Sequence, residues 1–481
     1  MFWRGVLGYL PVHAVQGLAG LGAVVVFTRL LSPADYGAYA LGFSVFSLTG
    51  TCAFIWLEAA LARFHAAETE GADRAAMFAT VYRTFAVLAA VAPVAAAGVA
   101  LVAPVTPAVR WAVTAGIGAT VTRSLLKLAQ ERRRAAGEVR GYALLDVTQT
   151  LGAFAVGAAG AAAGLGGAAP LVGAGAVSLV LALAVTPGEL RRARGGRFDR
   201  ERLARYAGYG VPISLSLVLA LVLATTDRFV LAAFTDEATV GAYHAGYSLS
   251  NRTLDVLFFW LGSAGGPAAV AALERGGVEA LRRTAAEQAS LMALLALPAA
   301  AGLALTARPL AEVMVGPAMR EGAATVTPWI ALSGLLGGAT TYYFHTAFTL
   351  GRRTGRLLAV MAVAAGANVL LNLALTPRFG LQGAVVATAL SYGLGLAASA
   401  ALGRRVTPLP IPWTALGRAG LATAAMTAVV LRVPATGGAG ELALKALAGV
   451  ASYALSAFAL DAGGVRSRGA GLLRAAVARP A

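Results

Sequence analysis

The sequence predicts an all-α, polytopic integral membrane protein with about 14 transmembrane helices, arranged as two pseudo-symmetric six-helix lobes plus two C-terminal helices. Three observations support this fold: the composition, a series of long apolar runs, and a motif that occurs once in each half of the chain. The 481 residues are 58% apolar and only 13% charged, whereas soluble domains carry about 25% charged residues. With a mean hydropathy of +0.73, the chain falls among integral membrane proteins.

The apolar runs are each close to the length that a helix needs to cross a bilayer. A hydrocarbon core about 30 Å thick requires about 20 apolar residues in a helix. Backbone groups must be paired inside lipid, and the runs lack the alternation of barrel strands, so we expect helices. The predicted spans are 10–31, 38–61, 84–104, 108–128, 143–163, 168–187, 209–234, 240–270, 288–307, 325–350, 356–376, 381–402, 413–431 and 442–460.

The basic residues predict the orientation of these spans. The net charge of +17 could suggest nucleic-acid binding, but the 39 lysines and arginines lie mainly in alternate loops. Cytoplasmic loops are the ones enriched in Lys and Arg. The basic loops at 132–134, 191–205, 282–283, 352–353 and 404–405 all fall on the same side if both termini are cytoplasmic. We therefore expect both termini in the cytoplasm and no nucleic-acid partner.

The chain is predicted to contain four segments and no soluble domain. These are an N-terminal six-helix lobe at 1–190, a basic cytoplasmic inter-lobe loop at 191–208, a C-terminal six-helix lobe at 209–405, and two extra helices with a basic tail at 406–481. Cys52 is the only cysteine. The sequence thus predicts no disulfide and no cysteine metal site, and we expect no cofactor.

A repeated hairpin organises the two lobes. The first copy, TRLLSPADYGAYALGF, occupies Thr28–Phe43, and a weaker copy follows Asp227 and Arg228 and continues as VGAYHAGYSL in Val240–Leu249. In each copy, an apolar run of membrane-spanning length ends near an arginine, a short loop follows, and the next apolar run begins at Gly-Ala-Tyr. Parallel repeats of this kind are typical of transporters, which bind substrate between the repeats.

These hairpins, together with NLALTPRFGLQGAVVATALSYGLG in Asn372–Gly395, resemble the polysaccharide-transporter branch of the multidrug/oligosaccharidyl-lipid/polysaccharide exporter superfamily. Its members are the Wzx-type flippases of O-antigen lipopolysaccharide, capsule and exopolysaccharide synthesis. The resemblance implies a V-shaped pair of six-helix bundles in the bacterial cell membrane. By alternating access, these would pass a polyprenyl-pyrophosphate-linked oligosaccharide from the inner to the outer leaflet. It also implies membrane lipids as partners, with a polysaccharide polymerase and glycosyltransferases as further candidates.

Span eight contains the first candidates for the substrate cavity: Asn251, Arg252 and Asp255. An ionisable group at the centre of a membrane helix costs about 2.5–3.5 kcal/mol on insertion scales, so such residues are functional candidates. The three-residue spacing places Arg252 and Asp255 on one helix face, where they can pair. Two interpretations stay open. Arg252 could meet pyrophosphate or an acidic sugar with Asp255 holding it, or the two could form a structural ion pair.

Three amides within the predicted spans are further cavity candidates. Gln149 lies in span five, and Asn368 and Asn372 share one face of span eleven. Amides between membrane helices contribute about 0.6 kcal/mol to packing, so sugar contact and packing are both open interpretations. Arg29 and Asp35 bracket the first outer turn, and Asp227 and Arg228 occupy the matching end of span seven.

The four hairpin charges are candidate gate or turn residues at the outer mouth, where charged groups can also reach water. Two other acids receive structural interpretations. Glu58 is expected to pair with Arg63 at the interface, and Asp146 to be neutralised by the arginine loop at 132–134.

Three other functions are weighed against the oligosaccharide flippase. A peptidoglycan-precursor flippase belongs to the same superfamily. A cation-coupled multidrug exporter normally has twelve spans and an acid in its first helix, but residues 10–28 contain no acid. A membrane glycosyltransferase or ligase would carry an extramembrane domain, and the sequence contains no nucleotide-phosphate loop and no zinc-protease motif. We therefore expect a transporter rather than an enzyme.

Overall fold

The computed structural model describes the backbone of residues 2–68, 71–102 and 104–467. Within these ranges the chain forms sixteen α-helices and no strand, as the sequence predicts. The helices are α1 Phe2–Leu30, α2 Pro33–Ala53, α3 Ile55–Phe64, α4 Ala72–Val102, α5 Pro107–Ala135, α6 Val139–Ala162, α7 Ala169–Val185, α8 Pro187–Gly195, α9 Arg200–Phe234, α10 Glu237–Leu305, α11 Ala307–Met314, α12 Arg320–Ala339, α13 Thr346–Leu350, α14 Thr354–Gly403, α15 Trp413–Val430 and α16 Gly438–Ala459.

The protein is a multi-pass membrane protein. Among the described residues, seven helices are long and apolar enough to cross a bilayer, and α2 with α3 adds an eighth as a span bent by 47°. Two of the seven, α10 and α14, each contain two of the runs predicted from the sequence. Every predicted run coincides with helix. The total of fourteen spans is consistent with these helices and stays a prediction.

The long helices α10 and α14 each break at a glycine. Gly277 has φ 66° and ψ −160°, and Gly380 has φ 53° and ψ −129°. Side chains other than glycine rarely adopt this left-handed region. Each break divides its helix into two segments where the sequence predicts two spans. A π-helical turn at Thr340–Phe344 lies within predicted span ten.

The described chain forms two compact units, Met1–His244 and Ala245–Ala481. The first contains α1 to α9 and the first turns of α10. Part of its core is built by α3, α4 and α9, with Leu57, Phe78 and Tyr206 fully buried. The predicted lobe boundaries at 191–208 and the basic tail stay predictions; residues 468–481 of that tail lie outside the described residues.

The repeated Gly-Ala-Tyr motifs meet inside the first unit. Ser32 caps α2 by accepting a hydrogen bond from the Asp35 N–H at 3.1 Å, a favourable start for a helix. A Cβ on Gly37 would lie only 1.8 Å from the Glu237 carbonyl oxygen, and one on Gly241 would lie 2.3 Å from the Pro33 carbonyl oxygen. Only glycine allows α2 and α10 to approach this closely.

The second unit packs around the apolar residues of α10 and α12. Leu254, Phe258 and Ala331 are buried in this core. The two extra helices, α15 and α16, join the same unit, where the Tyr453 hydroxyl donates a hydrogen bond to the Leu294 carbonyl at 2.5 Å. The aliphatic side chains that remain exposed on α16 suit a helix that faces lipid.

Candidate functional site

The bend between α2 and α3 places an acidic residue in the interior of the first unit. Phe54, at the bend, has φ −120° and ψ −32°, and the two helices meet at 47°. Glu58 follows in the first turn of α3. A bend re-aims the side chains that follow it, and Glu58 faces a cavity instead of the membrane interface. Arg63, its predicted partner, lies over the Phe64 ring, 5.8 Å from the centroid.

Helix α5 contributes two cations to the same cavity. Arg123 and Lys127 are four residues apart, so they share one face of the helix. Thr120 and Ser124 lie on the same face and also line the cavity. The Thr120 hydroxyl donates a hydrogen bond to the Phe46 carbonyl oxygen at 3.0 Å and thereby ties α5 to α2.

Behind the two cations lies Asp146 of α6, whose side chain is 0% exposed. Its Oδ1 lies 3.7 Å from both Arg123 Nη2 and Lys127 Nζ. Gln16 of α1 donates a hydrogen bond to the same carboxylate at 2.5 Å, and Gln130 donates a second at 3.5 Å. A buried carboxylate requires such partners. Asp146 is therefore neutralised by Arg123 and Lys127 of α5, and the prediction that the loop at 132–134 does so is wrong.

The cavity between α2, α3, α5 and α9 has a volume of about 490 Å³. Ligand-binding cavities commonly fall between about 300 and 1,000 Å³. The wall from α9 is aliphatic, with Leu217 and Leu221, whereas the opposite wall carries hydroxyl groups and the charged residues. The side chains of Arg123 and Lys127 are 19% and 25% exposed. They are thus shielded from water yet accessible from the cavity.

This arrangement suits binding of an anionic group. Guanidinium and ammonium groups form strong, charge-assisted hydrogen bonds with phosphate oxygens, and arginine can do so through two parallel bonds. Asp146 stabilises the two cations from the buried side, so one carboxylate offsets part of their positive charge even in the absence of ligand. Glu58, the one acid that lines the cavity, limits its net positive charge. Among the described residues, no cluster of His, Cys, Asp and Glu could hold a metal ion.

A family model described as polysaccharide biosynthesis protein matches residues 26–321, more than half of the sequence. The chain belongs to this family. The match includes the first hairpin and all four charged residues of the site. The resemblance to polysaccharide transporters that the sequence motifs indicate is confirmed.

Relatives of this family member are named as transporters. It is similar to the probable flippase AglR of Haloferax volcanii, with 28% identity over 239 residues, which cover 47% of this chain and 48% of that protein. The match thus spans about half the length of this curated relative. The fold resembles the lipid II flippase MurJ in an inward closed conformation, with a TM-score of 0.77 and 11% identity, covering 95% of this chain and 99% of that one.

A second solved structure shares the fold. It is the inward-facing conformation of a multidrug resistance MATE family transporter of the MOP superfamily, with a TM-score of 0.60 and 14% identity. The match covers 82% of this chain and 95% of that transporter. At such low identities these likenesses show the fold alone. None of the three relatives is named as an enzyme.

None of the ten site residues proposed from the sequence lines the charged cavity of this polysaccharide biosynthesis family member. The span-eight candidates lie in the second unit, where Arg252 and Asp255 are exposed. The Asn251 amide donates a hydrogen bond to the Asp255 carboxylate at 2.5 Å, and no ion pair within 4 Å joins Asp255 to Arg252 in the described structure. Their role in substrate binding stays a prediction.

The amide candidates are buried in two separate places. Gln149 of α6 donates a hydrogen bond to Ser178 at 3.5 Å in the first unit. In the second unit, the Asn372 amide donates to the Asn368 carbonyl oxygen at 2.9 Å. The Asn368 side chain is 0% exposed, and its amide has no hydrogen-bond partner among the residues described. The predicted sugar contacts of all three stay predictions.

The gate candidates divide into an accessible pair and a buried pair. Arg29 is exposed and donates a hydrogen bond to the Val25 carbonyl at 2.7 Å, while Asp35 accepts one from the Ser32 hydroxyl at 2.7 Å. Asp227 is fully buried and accepts a hydrogen bond from the Tyr243 hydroxyl. Arg228 is also buried. Arg29 and Asp35 lie at the first turn, whereas Asp227 and Arg228 lie inside α9, and the gating role of all four stays a prediction.

Arg123 and Lys127 are site residues that were not predicted from the sequence. Both fall inside predicted span 108–128, and the rule that ionisable groups in a span are functional candidates applies to them as it does to Arg252. Their four-residue spacing was a further signal. Both residues lie close in sequence to the arginine loop at 132–134, so they also fit the pattern of interfacial residues.

Proposed function

We propose that this chain is a flippase that moves a polyprenyl-pyrophosphate-linked oligosaccharide from the inner to the outer leaflet of a bacterial plasma membrane. The glycan would be a unit of O-antigen, capsule or exopolysaccharide, and both chain termini would be cytoplasmic. Transport would proceed by alternating access. Family membership and the flippase name of the relative from Haloferax volcanii support the choice of a transporter.

The observation that carries this proposal is the pair of cations in the membrane cavity. Arg123 and Lys127 face a space of about 490 Å³ and are backed by the fully buried Asp146. A pyrophosphate linkage is anionic, and its oxygens match the donors of these two side chains. The aliphatic wall formed by α9 suits the lipid portion next to the headgroup. A polyprenyl-linked substrate combines these two chemical characters.

Substitution of the two cations tests the proposed role of the cavity. A hydrogen bond to a charged group contributes about 1.5–3 kcal/mol, so Arg123→Gln or Lys127→Gln should reduce transport about tenfold to a hundredfold. Arg110→Gln is the matched control, because Arg110 is exposed on the same helix and does not line the cavity. Surface glycan on intact cells and lipid-linked precursor in the inner leaflet are measured together.

Deletion of the gene separates this function from the alternatives. Loss of surface glycan with accumulation of its lipid-linked precursor supports the oligosaccharide flippase. Arrested growth with accumulation of a peptidoglycan precursor would instead identify a peptidoglycan-precursor flippase. Greater sensitivity to cationic drugs with normal glycan would identify a multidrug exporter. Turnover of a polyprenyl-linked sugar by the purified chain would identify an enzyme.

A further inference from the structure

The segment that joins α7 to α9 carries a dense group of exposed arginines. The sequence predicts a basic loop here, but the structure forms α8 and then an extended turn before α9 begins at Arg200. Six arginines of this segment are exposed, and together they are called the arginine surface. They are Arg191, Arg192, Arg194, Arg197, Arg200 and Arg205.

The arginine surface has few acids beside it, and they form no ion pairs with it. In the described part of the chain, no ion pair within 4 Å involves any of its six arginines. Glu201 is exposed in the first turn of α9, and the two other nearby acids have partners elsewhere. Glu189 is buried against Arg132 at 2.9 Å, and Asp199 caps α9 and lies 3.4 Å from the buried Arg202. The positive charge of this surface is therefore available to an external anion.

Buried polar contacts fix α8 against the first unit. Glu189, in the first turn of α8, accepts a hydrogen bond from the Tyr82 hydroxyl of α4. Its other oxygen lies 2.9 Å from Arg132 Nε of α5. A buried carboxylate with two such partners holds a short helix in one orientation. The arginines of α8 are thus presented in a defined arrangement.

The turn after α8 is fixed equally closely. Arg83 of α4 donates a hydrogen bond to the Gly196 carbonyl at 3.2 Å, and the Asp199 N–H donates to the Thr80 hydroxyl at 3.1 Å. A Cβ on Gly196 would lie 2.1 Å from the Ala75 carbonyl oxygen, so the two backbones are in direct contact. A simple linker does not require such contacts.

These contacts indicate a role beyond membrane topology. Basic loops set topology while the chain inserts, and for that purpose the charge near a span is sufficient. Topology alone gives no reason to anchor the segment by buried hydrogen bonds in the folded protein. The anchoring instead favours a surface that acts after folding, through the geometry of its guanidinium groups.

We propose that the arginine surface binds the phosphate headgroups of anionic phospholipids such as phosphatidylglycerol. It lies where α9, an apolar helix able to span the membrane, begins, so it reaches the interface at which headgroups are concentrated. Arginine forks match phosphate oxygens bidentately. Phe198 is 38% exposed and Tyr209 40% exposed beside these arginines, and aromatic rings are favoured at the headgroup level. The surface would hold this face of the first unit against an anionic leaflet.

Titration of the purified full chain with phosphatidylglycerol tests the proposal, with bound lipids counted by native mass spectrometry. Each basic residue near an anionic surface contributes about a fivefold factor in affinity. The triple variant Arg191→Gln, Arg192→Gln, Arg194→Gln should therefore bind about a hundredfold more weakly. The control triple variant is Arg282→Gln, Arg404→Gln, Arg405→Gln. It removes the same charge from exposed arginines of the second unit and should weaken binding far less than the α8 triple variant does.

The variant Gly196→Val tests the fixed geometry without changing any charge. Its side chain would displace the turn, and we expect about tenfold weaker binding of phosphatidylglycerol. The proposal would be overturned if Gly196→Val bound phosphatidylglycerol with unchanged affinity, or if the two triple variants lost affinity equally. Either result would show that charge alone is sufficient for lipid binding. The proposal would also be overturned if the α8 triple variant lost binding of polyprenyl pyrophosphate but bound phosphatidylglycerol as the unaltered protein does. Since no transport is measured, the outcome is independent of the proposed flippase activity.

Discussion

Replacement of Asp146 by Asn tests whether the buried carboxylate stabilises the cations of the cavity. Its side chain is 0% exposed and lies 3.7 Å from both Arg123 and Lys127. At an effective dielectric constant of about 20, each attraction amounts to about 4 kcal/mol. Breaking a buried ion pair by removing one partner costs about 3–5 kcal/mol, because the other charge stays buried. Asn keeps the shape of Asp and can still accept the Gln16 hydrogen bond, so the substitution removes mainly the charge.

We expect Asp146→Asn to lower the thermal unfolding midpoint, measured in detergent by circular dichroism, by about 3–5 °C. Glu138→Gln is the control. Glu138 is 47% exposed and lies 2.7 Å from Arg132, and an exposed pair contributes less than about 1 kcal/mol. The double variant Asp146→Asn, Arg123→Gln should recover part of the loss, since it removes both members of one pair. Equal midpoints for Asp146→Asn and Glu138→Gln would refute this reasoning.

Three further substitutions address the helix crossing, the second hairpin and the unpaired amide. Gly37→Ala should cost about 1–3 kcal/mol of unfolding free energy because its methyl group would meet the α10 backbone. Gly118→Ala, where the added carbon meets nothing within 4 Å, should not destabilise the protein. Tyr243→Phe should cost about 1–3 kcal/mol because it removes a hydrogen bond from the buried Asp227 carboxylate. Asn368→Leu should leave the thermal unfolding midpoint unchanged or higher, since it replaces a buried amide without partners. A large decrease in the midpoint would show that the amide is hydrogen-bonded in the protein. Lost transport at an unchanged midpoint would support its predicted sugar contact.

Most of the fold could be predicted from the sequence because lipid imposes a simple rule. Spans must be helical and about 20 residues long, so apolar length alone locates them. The breaks were harder to predict. Gly277 and Gly380 fall in the gaps between predicted spans, but the sequence predicts loops there, whereas the structure has a single glycine break within an otherwise continuous helix. The bend at Phe54 carries no glycine or proline at all. It depends on packing, which a one-dimensional pattern does not contain.

The repeated hairpin shows what a motif can and cannot indicate. Its recurrence predicts a duplication, which stays a prediction, and it directs attention to Gly37 and Gly241. Nothing in the sequence indicates that each of these two glycines contacts the helix of the other in the first unit. Contact of this kind depends on residues about two hundred positions apart. Similar local sequences are informative about local structure but do not determine which elements pair.

The charged cavity illustrates the same limit for function. The predicted span 108–128 ends just after Lys127, which made Arg123 and Lys127 resemble interfacial residues next to the arginine loop. In the structure α5 continues to Ala135, so Arg123 lies about three turns from the helix end. Its stabilising partner is Asp146 on another helix. An ionisable group is tolerated in a membrane when its counter-charge is near. A site of this kind is therefore recognised from both members of the ion pair and not from one residue alone. The members of this pair are brought together only by the packing of α5 against α6.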